Sequence, residues 1–206
     1  MFTNKPFFLV LFLMLFFVNL KGQESVFKQF ATLSCAEKSW VVFHPFVAKK
    51  ALQISMEARK TTAEVKQQKL LKGEGNGDQV DAFRHAYWMA LLTFEIGERR
   101  ARKLGKAHEK GNHQQFKKGK TEDGVLPDKI SSEMDLFNNE LGIEIAKTIT
   151  TEKLIELIIN KVKSGYAKII KQDQEHQFLD NQDKIIPTEE LQGKWENRKV
   201  LVNSDY

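Results

Sequence analysis

The sequence predicts a mainly α-helical, compact multi-helix domain with a small β-containing appendage at its C-terminal end. Three observations carry that prediction. Between Pro45 and Gly165 apolar residues recur at helical spacing, interrupted by polar, glycine-containing connections. Beyond Gly165 the apolar segments shorten to YAKIIK, FLD, KII and RKVLV, separated by turn residues, which is a strand pattern. The chain has a single cysteine, so no internal disulfide replaces a packed core. The predicted organisation is therefore a leader over 1–22, a helical domain over 23–165 and a small β-containing tail over 166–206 packed on that domain.

The leader reads as a secretory signal peptide. Lys5 provides the positive start, Phe7 to Leu20 is apolar apart from Asn19, and Leu20-Lys21-Gly22 resembles a cleavage site before Gln23. The run is short for a membrane span, which needs about 20 residues. A secreted or periplasmic protein is expected, with no transmembrane segment in the mature chain. Loss of Lys5 and Lys21 lowers the formal charge from +5 to about +3. Many remaining lysines lie beside acids, so there is no strong nucleic-acid signal. Cys35 is expected to be a small buried thiol.

Trp40 to Phe43 form a bulky apolar run that ends at His44, because a residue before proline avoids helical angles. Pro45 suits the first turn of the next helix, expected to reach about Arg59, with Phe46, Leu52 and Ile54 buried. His44 is expected to cap or pack. Lys60 to Asn76 reads as solvated surface, a loose helix running into a glycine loop.

The central helix is predicted from an Asp78 N-cap to Ile96. Val80, Phe83, Tyr87, Leu91 and Phe94 form its stripe, and Asp81, Arg84 and His85 interrupt otherwise apolar surroundings. Asp81 and His85 are four apart and share a face, so Asp81 can orient the imidazole. A helix from Glu98 to Lys110 follows, carrying His108 and Glu109, and Gly111 is expected to stop it. Asn112 joins that cluster. The connection to Lys129 contains Glu122, Asp123 and Asp128, whose spacing does not match a calcium-binding EF-hand loop. They read as solvated turn residues.

Ser131 or Ser132 is expected to cap a helix reaching about Thr148. Met134, Phe137, Leu141 and Ile145 form its core stripe, while Asp135, Asn138 and Asn139 share another face. Gly142 and Ala146 continue that face with small residues, inviting close approach of another helix. Asparagine is a poor helix former, so the adjacent pair is expected to have specific partners. Thr150 or Thr151 starts a further amphipathic helix, with Leu154, Leu157, Ile158 and Val162 inward and Gly165 as its stop.

With DAFRHAYW, HE, and MDLFNN followed by Gly142 in place, the chain resembles an uncharacterised bacterial α-helical domain family. Its members occur as small secreted proteins and as C-terminal domains of large toxin-like proteins. The resemblance spans roughly Trp40 to Ile149 and implies a helical domain with a shared polar centre. The matching residues are Asp81, Arg84, His85, His108, Glu109, Asp135, Asn138 and Asn139.

The three clusters are expected to converge on one site. No serine sits in a nucleophile elbow, no phosphate loop is present, and His108-Glu109 is followed by KGN, which excludes a zincin. A divalent metal is the cofactor the set would hold, on His85, His108 and Asp135, with Glu109 acting on bound water. Without metal, His85 would be the base and Arg84 with the carboxamides would stabilise an ester or phosphodiester. The competing class is a non-enzymatic secreted protein in which the same residues form a helix-packing hydrogen-bond network. No motif names a substrate or a partner.

Overall fold

The computed structural model describes residues 28–121 and 125–206. The expected signal peptide and Glu122 and Asp123 lie outside the described residues. Ser34–Tyr206 form one compact unit; residues 28–32, in a separate unit, are helical.

Helix α1 spans Cys35–Phe43 and opens with a capping box in which Ser34 and Glu37 exchange side-chain and backbone bonds. Cys35 sits in its first turn and is exposed, because the buried side of α1 is given to Trp40. Helix α2 runs Pro45–Gln67, a turn or two beyond the expected end, because Ala58, Thr62 and Val65 continue its buried stripe. Phe46, expected inside, is 99 % exposed at the corner between α1 and α2.

Helix α3, Gln79–Ile96, is the centre. Asp78 Oδ1 accepts from the backbone N–H groups of Val80 and Asp81, and Oδ2 accepts from those of Glu74, Gly75 and Asn76. One carboxylate thus caps the helix and folds the loop before it. Helix α3 is buried nearly all round and packs against α2 and the two helices that follow it.

Helix α4 spans Glu98–Phe116. Gly111 lies inside it rather than ending it, because the glycine is required by packing: a Cβ there would lie 2.4 Å from Ser34 Oγ. Helix α5 spans Lys129–Ala146 with Asp128 as N-cap and Ser131 as the reciprocal partner, displacing the cap expected at the serines themselves. A Cβ on Gly142 would sit 2.0 Å from the Ala86 carbonyl oxygen, so α3 and α5 approach backbone to side as the small-residue face predicts. Phe137, expected in the core, is 44 % exposed, since Asn138 takes the inward direction.

A 3-10 turn at Thr151–Lys153 leads into α6, Leu154–Lys163, whose Leu154, Ile158 and Val162 are buried. Strand β1, Lys168–Ile170, pairs antiparallel with β2, Leu201–Asn203, in the register Ile169 to Val202. Between them lies the short helix α7, Thr188–Leu191. The chain is thus mainly helical with a small two-stranded sheet near its C-terminus. That sheet is tied to α3: Ile170 N–H donates to Gly77 O at 2.7 Å, and Gln79 Nε2 to Ser204 O at 2.6 Å.

Candidate functional site

Asp81 and His85 project from the same side of α3 because they are one turn apart. Asp135 meets them from α5, brought close by the Gly142–Ala86 approach two turns further on. His85 Nε2 lies 3.2 Å from Asp135 Oδ1 and 3.6 Å from Asp81 Oδ1. One ligand atom from each of Asp81, His85 and Asp135 falls within 4.8 Å of the others. All three residues are buried.

Arg84 closes the group on one side. Its Nη2 lies 2.5 Å from Asp81 Oδ1 and 3.2 Å from His85 Nε2. The second Asp81 oxygen accepts from Gly77 N–H at 2.8 Å, which fixes the carboxylate. Nε2 therefore faces an acceptor and a donor together. Protonated, it donates to Asp135 but opposes the Arg84 N–H; bare, it accepts from Arg84 but opposes the Asp135 lone pairs.

A cleft of about 340 Å³ reaches this group, with Asp81, Arg84 and Asp135 in its wall. Arg59 lies in the same cleft wall, as do the ion pairs Lys66–Glu74 and Lys199–Asp128, both at 2.7 Å, and Asn112 enters from α4. The site is thus buried at all three residues, with Asp81, Asp135 and the partly exposed Arg84 contributing to the cleft wall.

The remaining expected members are placed differently. His108 is not in the cluster of possible ligands; Asp81 takes its place beside His85 and Asp135. The His108 ring stands 6.5 Å from that of His85, and its Nδ1 lies 3.0 Å from Glu37 Oε1 on α1. Burial pushes the Glu37 carboxyl up, but the hydrogen bond and charge of His108, with the Ser34 N–H and hydroxyl, outweigh it and hold Glu37 below its ordinary range. Glu109 is buried and accepts from Asn112 Nδ2 at 3.2 Å. Asn138 is a clamp: its Nδ2 donates to Lys168 O and its Oδ1 accepts from Lys168 N–H, both at 2.9 Å. Asn139 is buried beside Gly105, and among the described residues neither of its amide atoms has a hydrogen-bond partner. Asp128, expected as a solvated turn residue, is 4 % exposed and ion-paired with Lys199 at 2.7 Å.

Glu37 and the cleft residues Arg59, Lys66 and Lys199 were not among the expected residues. Glu37 had a readable signal, the Ser34-x-x-Glu37 capping box that starts α1. Arg59, Lys66 and Lys199 had none, since they meet only through the fold.

The fold and site define a helical domain organised around a buried His/Asp centre. A family described as a domain of unknown function (DUF6973) matches residues 38–168, which include all eight expected site residues. The chain belongs to this family. No curated protein and no solved structure matches it.

Proposed function

We propose that the protein is an exported hydrolase in which Asp81, His85 and Asp135 hold a divalent cation and act on an ester or phosphodiester. The observation that carries this reading is the convergence of one imidazole nitrogen and two carboxylate oxygens within 4.8 Å at the wall of a cleft. One nitrogen and two oxygen donors form an open ligand set, suited to polarising a substrate oxygen and activating water. A cation there would be held by Nε2 and one oxygen of each carboxylate and would supply Lewis acidity beside Arg84. Arg84 and Arg59, in the wall of the same cleft, would receive the substrate's negative charge. Export rests on the N-terminal sequence alone, and mass spectrometry should find a mature chain starting at or near Gln23.

A second reading has its own support. Arg84 already lies 2.5 Å from Asp81, so its guanidinium can be the permanent counter-ion of a packing network. Metal content of purified protein, melting with zinc, manganese, calcium or a chelator, and hydrolysis of bis(4-nitrophenyl) phosphate and 4-nitrophenyl acetate separate the two. The hydrolase reading expects a bound ion, stabilisation that grows with its concentration, and turnover lost in Asp135→Asn. A wild type indifferent to every ion and inert toward both substrates establishes the network instead.

A further inference from the structure

We propose that the α1–α2 corner and the outer face of α4 form a docking surface for an anionic phospholipid bilayer. The corner holds large apolar side chains in the open: Phe46 is 99 % exposed, Phe43 77 % and Val42 65 %. Single exposed apolar residues are ordinary, but three within five positions at one convex turn make a patch. The turn is stiff. His44 stacks on Trp40 with ring centroids 4.6 Å apart, its Nδ1 lies 2.8 Å from Trp40 O, and Pro45 fixes the next backbone angle. The phenyl rings are therefore held outward.

A basic face adjoins them. Helices α1 and α4 run antiparallel, with Ser34 against Gly111 and Glu37 against His108. At the other end His44 shares a depression with Gly97, Arg99, Arg100, Lys103 and one acid, Glu98, which is itself paired with Arg102 and Lys147. From there Arg99, Lys103, Lys106 and Lys110 follow one face of α4 at helical spacing, all exposed. Among the described residues none of these four is paired with a carboxylate, whereas Arg102 on the neighbouring row is paired with Glu98 and Glu140.

Protruding aromatics beside an uncompensated basic row are what an anionic bilayer selects. The rings enter the headgroup boundary and the cations meet lipid phosphates. A nucleic-acid duplex, its bases already stacked, would use the row but not the rings. A second copy would bring two basic rows together at a repulsive cost. The inference does not depend on the hydrolase reading.

The test is co-sedimentation of the mature protein with vesicles of phosphatidylcholine alone or mixed with phosphatidylglycerol, at low and high salt. Binding should require phosphatidylglycerol and weaken with salt. The pairs Phe43→Ser with Phe46→Ser, and Arg99→Glu with Lys103→Glu, should each weaken it by about tenfold or more. Melting should not change, because all four residues are exposed. Failure to bind, or equal binding to both vesicles, overturns the proposal. So does binding that the phenylalanine changes leave intact while a DNA oligonucleotide competes for it, which marks a nucleic-acid surface. A wild-type dimer that the serine changes dissolve assigns the patch to a second copy and overturns it as well.

Discussion

Asp128 and Asp135 are two buried aspartates about two turns apart at the head of α5, both in the wall of the same cleft, yet their surroundings are opposite. Asp128 is saturated. Its Oδ1 accepts from Ser131 N–H at 2.8 Å, and its Oδ2 accepts from Asn197 Nδ2 at 2.9 Å and Lys199 Nζ at 2.7 Å. Its charge is answered by a cation that is itself buried. Asp135 instead faces an imidazole nitrogen whose other neighbours are a second carboxylate and a guanidinium. Burial is nearly equal, so burial does not separate the acid that holds the fold from the acid suited to chemistry. The partner set does.

The contrast can be broken most forcefully at the saturated end. Asp128→Ala uncaps α5 and strands Lys199, and should cost about 3–5 kcal/mol. Thermal melting followed by circular dichroism measures it, and a loss below 1 kcal/mol, the scale of an exposed pair, would place Asp128 with the surface acids. Next is Gly142→Ala. Its methyl group would meet the Ala86 carbonyl, so α3 and α5 must separate at a cost of about 2–3 kcal/mol. Urea unfolding should show the loss, and any ion response of the wild type should weaken with it.

Glu37→Gln comes third, at about 1–2 kcal/mol near neutral pH. The folded carboxyl is held below its ordinary 4.5, so its contribution is present above that pH and is lost as pH falls through the lower folded value. Melting curves of wild type and variant should converge only in that acidic range; a gap that is constant with pH would remove the charge from the explanation. Smallest in stability is Asp135→Asn. It relieves one of two facing carboxylates and should change stability by less than about 0.5 kcal/mol, or raise it, while any stabilisation by divalent cations disappears. A loss comparable to that of Asp128→Ala would make the two aspartates equivalent.

Much of the fold was legible because its causes are local. Asp78 caps α3 through its own neighbours, and Gly142 continues a small-residue face that periodicity displays. What was misread has tertiary causes. Gly111 looks like a stop and is kept for Ser34, a contact across much of the chain. Phe137 fits an apolar stripe, but Asn138 won the inward direction through two bonds to Lys168. The pairing of Asp81 with His85 follows from their spacing. The exchange of His108 for Asp81 beside Asp135 does not, because Glu37 draws His108 toward α1 from 71 positions away. Asp128 read as a turn acid because its counter-ion Lys199 also lies 71 positions away.

The bond from Gln79 to Ser204 joins positions 125 residues apart. At the usual pace of translation, roughly 6–25 s separate the synthesis of its two ends. During that interval the first turn of α3 exists without its last anchor, and β1 exists without β2. The tie between the first turn of α3 and Ser204 therefore forms only once residue 204 has emerged, whatever the state of the local bonds from Gly77 and Arg84 that hold Asp81.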